Sequence, residues 1–258
     1  MFKTIYFLGT GCGRPLQERR LPLYLVDLEG NKSIMLECGS TINNDDLYFP
    51  GRFNKIELII ITSSDIELYA GLPMLIHSMQ LLNRSKPLKI IAPKVVNELV
   101  LNIINKDILK ITFPLNFTDI ETHQSSDFTE DVIVHTKKLH SNFPRYQVFI
   151  KNKQESTIFY TGKSAEISDK NLLDGDKFVI HDCTYSYDDS ELAPRTGLAS
   201  YKDVLAFHKN YSPKKTFLVH YSNRYKNPME EIKRHRIQPE NILTTSDGFM
   251  FNFNQNKN

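Results

Sequence analysis

The stretch ELIIITSSDIELYAGLP, Glu57 to Pro73, decides how the chain is read. Its opening, one leucine and three isoleucines after Glu57, has the look of a buried strand. Six polar or mixed residues follow, Ser63, Ser64, Asp65, Ile66, Glu67 and Leu68, and Gly-Leu-Pro then opens an apolar helix. Loops leaving the carboxyl end of a buried strand are where α/β proteins keep their chemistry, because the sheet fixes their ends while their side chains stay accessible. The chemistry open to this loop is therefore the first functional question.

Strand signals recur on both sides of it. β-Branched and aromatic content marks strands at 3–8, 22–28, 33–37, 57–61 and 88–92, then at 132–136, 146–150, 156–161, 177–181, 216–220 and 248–253. Helical periodicity is clearest over 70–82, 93–104, 201–209 and 228–236, with Pro93 and Pro228 where a first helical turn tolerates proline. Strands run together and then alternate with helices, twice along the chain. That order predicts an α/β fold of two packed sheets with helices outside, not one doubly wound sheet. No Pro/Gly/Ser linker, short-period repeat or low-complexity segment precedes the polar tail NQNKN, so a single domain over 1–258 is expected.

Composition narrows the class. The 258 residues are 40% hydrophobic and 24% charged, as in a soluble globular protein able to bury a large core. No apolar run approaches the roughly 20 residues that span a bilayer, so no membrane partner is expected. The start MFKTIYFLGTG reads as a first strand and not as a signal peptide. Cys12, Cys38 and Cys183 are widely spaced without a C-x-x-C pair, which fits free thiols in a reducing compartment and a cytoplasmic location. The net charge of +2 neither demands nor excludes an anionic partner. The most basic segment, Asn223 to Arg236, is diluted by two glutamates and reads as a solvated helix with its entry loop. GTGCGRP lacks the Walker lysine and reads as backbone geometry. No G-x-S-x-G elbow surrounds Ser63 and Ser64, and no Cys-His arrangement is visible, so covalent catalysis is not expected.

Eight blocks in order resemble the metallo-β-lactamase superfamily, and within it the ribonuclease Z branch. They are FLGTGCGRPLQERR, LECGS, ITSSDIELYAGLPMLIHSMQLLNRSKPLKIIAP, LHSNFPRYQV, FYTGKS, VIHDCTY, LVHYSNRY and TTSDGFMF. The resemblance covers nearly the whole chain. It implies a four-layer αββα sandwich, two mixed sheets with helices on both outer faces, and a site at one edge.

The same resemblance sharpens the first question. The family's metal loop is His-x-His-x-Asp-His, whose imidazoles and carboxylate converge on two zinc ions. The matching positions here are Ser63, Asp65, Glu67 and Leu68. The ligand histidines of two later blocks are retained as His140 and His220, but the metal-bridging aspartate is replaced by Lys163. Of the pair that assists proton transfer, Asp182 replaces a glutamate and Leu198 stands where a histidine aligns. Leucine offers zinc no donor, and a serine hydroxyl is a poor one. A protonated lysine puts a positive charge where two dications share a carboxylate, at a cost of roughly 4 kcal/mol per unit charge at about 4 Å and an effective dielectric near 20. The expectation is therefore no cofactor, with Lys163 standing between Asp65 and Glu67 in place of metal charge. The alternative is one Zn or Mn on Asp65, Glu67, His140 and His220.

Other histidines read as structural. His77 packs on its helix, His135 is a sheet residue, and His123, His208 and His235 read as surface residues. His181, beside Asp182, borders the site and is a cleft candidate with Asp65, Glu67, Lys163 and Asp182. Arg14, Arg19 and Arg20 of the PLQERR loop are candidates to hold an anion. Ribonuclease Z enzymes grip tRNA with a long arm inserted before the strand that leads to the metal-bridging aspartate; here only the short turn KNKQES joins the strands at 146–150 and 156–161, so tRNA is not the expected partner. The reading is a non-catalytic pseudoenzyme that binds a small anionic or nucleotide-like ligand or pairs with a protein, as a homodimer or with a relative. The alternative is a rebuilt single-metal hydrolase or phosphodiesterase acting on small nucleotides. A third reading, RNA binding through the basic residues, would show itself as salt-dependent affinity.

Overall fold

The computed structural model describes residues 1–40, 52–105, 110–139, 144–234 and 239–254. Strands β1 (Phe2–Gly9), β2 (Leu23–Leu28), β3 (Lys32–Leu36), β4 (Ile56–Ile60), β5 (Leu88–Ala92), β6 (Leu115–Asp119) and β7 (Ser125–Thr129) come first. They are followed by β8 (Val132–Lys138), β9 (Tyr146–Asn152), β10 (Ser156–Tyr160), β11 (Asp176–Asp182), β12 (Lys215–Val219), β13 (Ile242–Thr244) and β14 (Phe249–Asn252). The helices are α1 (Leu72–Leu81), α2 (Lys94–Ile104), α3 (Ala193–Thr196), α4 (Tyr201–Tyr211) and α5 (Pro228–Lys233).

The chain folds into two compact units. The first comprises Met1–Gly9, Glu18–His123 and Ser246–Asn258 and holds a sheet in the order β14-β1-β2-β3-β4-β5-β6. Pairs from β14 to β3 are antiparallel, and those from β3 to β6 are parallel. All six residues of β2 are buried. The β4–α1–β5 and β5–α2–β6 crossovers join parallel neighbours, and right-handed crossovers of this kind put both helices on one face of the sheet. Leu72, Leu75, Ile76 and Met79 of α1 and Val96, Val100 and Ile104 of α2 bury their apolar stripe against Ile56, Ile59, Leu88 and Ile90.

The second unit comprises Thr10–Gln17 and Gln124–Thr245, with a sheet in the order β13-β12-β11-β10-β9-β8-β7. The pairing repeats: β7 to β10 antiparallel, β10 to β13 parallel. The two passes legible along the sequence are thus two sheets with one pairing plan. Phe149, Phe159, Val179 and Phe207 form one core cluster, and Cys183, Tyr201, Val204, Leu218 and Ile242 another. α4 starts on a capping box, in which the Ser200 side chain accepts from Asp203 N–H and the Asp203 carboxylate from Ser200 N–H.

Every strand and helix expected from the sequence is present within a few residues, α5 being shorter. Sequence periodicity misses β6, β7 and β13. Each lies at a sheet edge, and LNFTD and SSDFT are half-exposed polar segments without an apolar run. His123, read as a surface residue, is instead buried. His235 lies outside the described residues. β9 and β10 are joined by three residues, with the Asn152 side chain accepting from Gln154 N–H (3.1 Å) and Ser156 N–H (3.0 Å). No helix of the described residues is long and apolar enough to cross a membrane.

Candidate functional site

In the first unit, the loop after β4 is clasped by the turn after β3. Glu37 is fully buried at φ +60°, an unfavourable conformation for a residue with a Cβ. Its carboxylate accepts from Thr62 N–H (3.2 Å) and from the Thr62 hydroxyl, which fixes where the loop begins. Cys38 N–H donates to the Leu68 carbonyl (2.7 Å), and Gly71 N–H donates to the Cys38 carbonyl (2.9 Å), which fixes where it ends. Gly39 is required for this approach, since a Cβ there would stand 1.9 Å from the Glu67 carbonyl oxygen.

Within the clasp each side chain has a distinct setting. Ser63 is buried and its Oγ accepts from Asp65 N–H (3.2 Å). Asp65 is half-buried, Glu67 is buried at 9% exposure, and Ile66 points outward at 69%. Leu68 is fully buried in the core cluster with Leu72 and Leu75. The leucine is thus spent on packing α1.

In the second unit, Lys163, Asp182 and His220 all follow the carboxyl ends of the parallel strands β10, β11 and β12 or close them. Lys163 is buried at 7% exposure. Its carbonyl accepts from Arg145 Nη1 (2.9 Å), and the same guanidinium donates to the carbonyls of Gly197 (2.7 Å) and Thr196 (3.2 Å). The fully buried Asp182 carboxylate accepts from Thr184 Oγ1 (2.7 Å) and Ala199 N–H (2.8 Å). His220 Nδ1 lies 3.1 Å from Asp182 Oδ1 and 2.9 Å from Thr184 Oγ1. With the threonine proton directed at Asp182, Nδ1 faces two acceptors and carries a hydrogen, which in the neutral ring leaves the lone pair on Nε2. His220 is also buried and at φ +63°.

The remaining candidates are placed less directly. His181, expected at the rim of the site, is fully buried with its ring edge-on to Phe207 at 5.1 Å. Its Nδ1 lies 2.7 Å from the Asp182 carbonyl, and its Nε2 has no hydrogen-bond partner. Burial pushes its pKa down, outweighing the carbonyl and the charges of Asp182 and Asp203. Leu198 is half-buried beside Ala199. Arg14 is exposed in the second unit, where its carbonyl accepts from Asn223 Nδ2 (2.7 Å), whereas Arg19 and Arg20 belong to the first. The Arg20 guanidinium pairs with Asp247 at 3.3 Å, and Arg19 is buried. His140 lies outside the described residues. Among the described residues no group of three or more His, Cys, Asp or Glu side chains is placed to hold a metal ion. Burial pushes the Cys38 and Cys183 thiols up, with Glu37 and Asp182 respectively adding to it, so neither is an activated nucleophile. Reasoning from sequence missed Glu37, Arg145 and Thr184, although each lies inside a quoted block, LECGS, LHSNFPRYQV and VIHDCTY respectively.

A family profile described as "Anti-Pycsar protein Apyc1" matches residues 3–239. The chain belongs to that family. It is also similar to ribonuclease Z of Saccharolobus solfataricus, 27% identical over 281 residues, covering 93% of this chain and 96% of the relative. Among solved structures, human tRNase Z, short form (ELAC1) superposes with a TM-score of 0.78 at 17% identity, covering 96% of this chain and 98% of that one. The metallo-β-lactamase fold protein YhfI from Bacillus subtilis gives 0.74 at 15% identity, covering 98% and 100%. The two mixed seven-stranded sheets with helices are those of the αββα metallo-β-lactamase fold, and the chain falls in its ribonuclease Z-like branch, as the sequence blocks imply.

Proposed function

We propose that this member of the Anti-Pycsar protein Apyc1 family is a non-catalytic, cytoplasmic binder of a small phosphate-bearing anion. The observation that carries the reading is the burial of Lys163, a lysine at the position that the sequence blocks match to the metal-bridging aspartate. A two-metal centre needs carboxylates and neutral imidazoles, whereas the sequence blocks match Lys163, the buried hydrocarbon of Leu68 and the hydroxyl of Ser63, a poor zinc donor, to three of the family's ligand positions. That donor set does not fit such a centre, so no hydrolytic step is assigned to it. The relatives named ribonuclease Z act on a phosphodiester polymer, and a buried cation preserves attraction for such a group where the metals are lost. The three-residue β9–β10 connection leaves no arm for tRNA and favours a small ligand. Three free, buried cysteines fit the cytoplasm.

A second reading, a single-metal hydrolase using Zn or Mn, is favoured by His220, whose Nδ1–H to Asp182 is the tautomer that metal-bound histidines adopt. Calorimetric titration with nucleoside monophosphates and small phosphodiesters, run beside a phosphate- and alcohol-release assay, separates the two. The expected result is saturable binding without turnover, weakened about tenfold or more in Lys163→Met. Turnover proportional to protein and lost in His220→Ala would contradict the proposal.

A further inference from the structure

In the second unit, the loop that carries Lys163 and the loop that leads into α4 enclose a cleft of about 620 Å³. That volume lies within the range of about 300–1,000 Å³ found for small-molecule sites. The cleft begins at the residue after Lys163. Ser164 forms part of its wall on the first loop, and Gly197 and Leu198 form part of it on the second.

Two buried side chains, Arg145 just before β9 and Gln147 within it, hold both walls. The Arg145 guanidinium joins the two loops through the carbonyls of Lys163, Thr196 and Gly197. Gln147 Nε2 donates to the carbonyls of Thr161 (3.3 Å) and Glu166. Its Oε1 accepts from Ser168 N–H (2.8 Å) and Ser168 Oγ (2.8 Å). Residues 161–168 are thus fastened at both ends and in the middle, so the cleft exists without a ligand to order it. A site that is already formed suits a small ligand, which has few contacts with which to offset the cost of ordering loops.

The lining selects by charge. Ala193, Pro194 and Leu198 supply apolar surface. Glu166 and Glu191 add two exposed carboxylates, neither with a hydrogen-bond or ion-pair partner among the described residues. Asp203, also on the wall, is engaged in the capping box of α4. Lys202 is the one basic residue of the lining, so the cleft is net negative. An acidic, partly apolar cleft that borders a buried lysine suits a ligand with opposite charges at its two ends. A second negative charge on the organic part would meet both glutamates.

We propose that this cleft takes the organic part of the phosphate-bearing ligand, an apolar group ending in a protonated amine; this rests on the anion-binding reading proposed above.

Isothermal titration of the full chain with phenylphosphonate, 4-(aminomethyl)phenylphosphonate and 4-carboxyphenylphosphonate tests it. Their P–C bonds resist hydrolysis, so binding is read whether or not the chain turns over esters. The aminomethyl compound should bind about tenfold tighter than the carboxyl compound, with phenylphosphonate between them. Glu166→Gln combined with Glu191→Gln should bring the two charged compounds within about twofold of each other, and Glu166→Lys with Glu191→Lys should reverse their order. Both positions are exposed, so the far-ultraviolet spectrum should be unchanged. Amine and carboxyl compounds that bind the wild type alike, or an amine preference that survives both double substitutions, would overturn the subsite. Phenylphosphonate binding that depends on Lys163 would in that case leave the anion-binding reading standing. If none of the three binds at about 10 mM, that reading itself fails and the subsite with it.

Discussion

His181 and His220 are both buried in the second unit, yet their environments give them opposite roles. His220 is oriented by Asp182 and Thr184, so the direction in which its Nε2 points is fixed. His181 has one backbone contact, an aromatic neighbour and an unpartnered Nε2, an arrangement that tolerates only the neutral ring. The folded pKa lies below the ordinary value of about 6.5, so on acidification the unfolded chain takes a proton that the folded chain refuses. Stability from this residue is full above about pH 6.5 and falls as pH drops below it, by at most about 1.4 kcal/mol per pH unit. His135 and His208, also lowered chiefly by burial, act in the same direction. Urea denaturation at about pH 7.5 and 5.5 should show that His181→Asn, whose amide can reproduce the Nδ1 contact, loses less stability than the wild type on acidification. An equal loss would show that His181 does not titrate in this way.

At the scale of elements, legibility depended on whether a contact leaves a period in the sequence. The runs at 57–61 and 88–92 became central parallel strands because burial on both faces demands unbroken apolar sequence. β6 and β7, polar and at sheet edges, left no such trace. The loop after β4 was legible as the connection from a buried strand to an apolar helix. The clasp that holds the loop was not, because Glu37 reaches Thr62 across 25 residues of chain. Asp182 and His220 are 38 residues apart, and spacing alone could not pair them. Arg84 is a similar omission. It is buried just past α1, and its guanidinium donates to the carbonyls of Phe53 (2.6 Å), Ile56 (2.8 Å), Lys86 (2.8 Å) and Pro87 (2.7 Å). These bonds tie the exit of α1 to the starts of β4 and β5, and a lysine cannot reach four acceptors with one ammonium. Arg84→Lys should cost about 2–4 kcal/mol by chemical denaturation, since orphaned carbonyls remain buried. A change below about 0.5 kcal/mol would mean that the network is not what joins these elements.

For the molecule as a whole, one pairing plan used twice gives two sheets, each with a run of four mutually parallel strands. A fold of this kind can outlast its chemistry, because the core residues that define it are separate from the loop residues that react. Leu68 marks the boundary, packing as core at a position that matches a ligand in the resembling family. The central claim is that Lys163, Leu68 and Ser63 leave no two-metal centre. It is tested most directly by elemental mass spectrometry on protein purified without chelator and dialysed against zinc and manganese. Our account predicts less than about a tenth of an equivalent of either metal. One or two equivalents that disappear in His220→Ala would contradict it, and would make the chain a metallohydrolase after all.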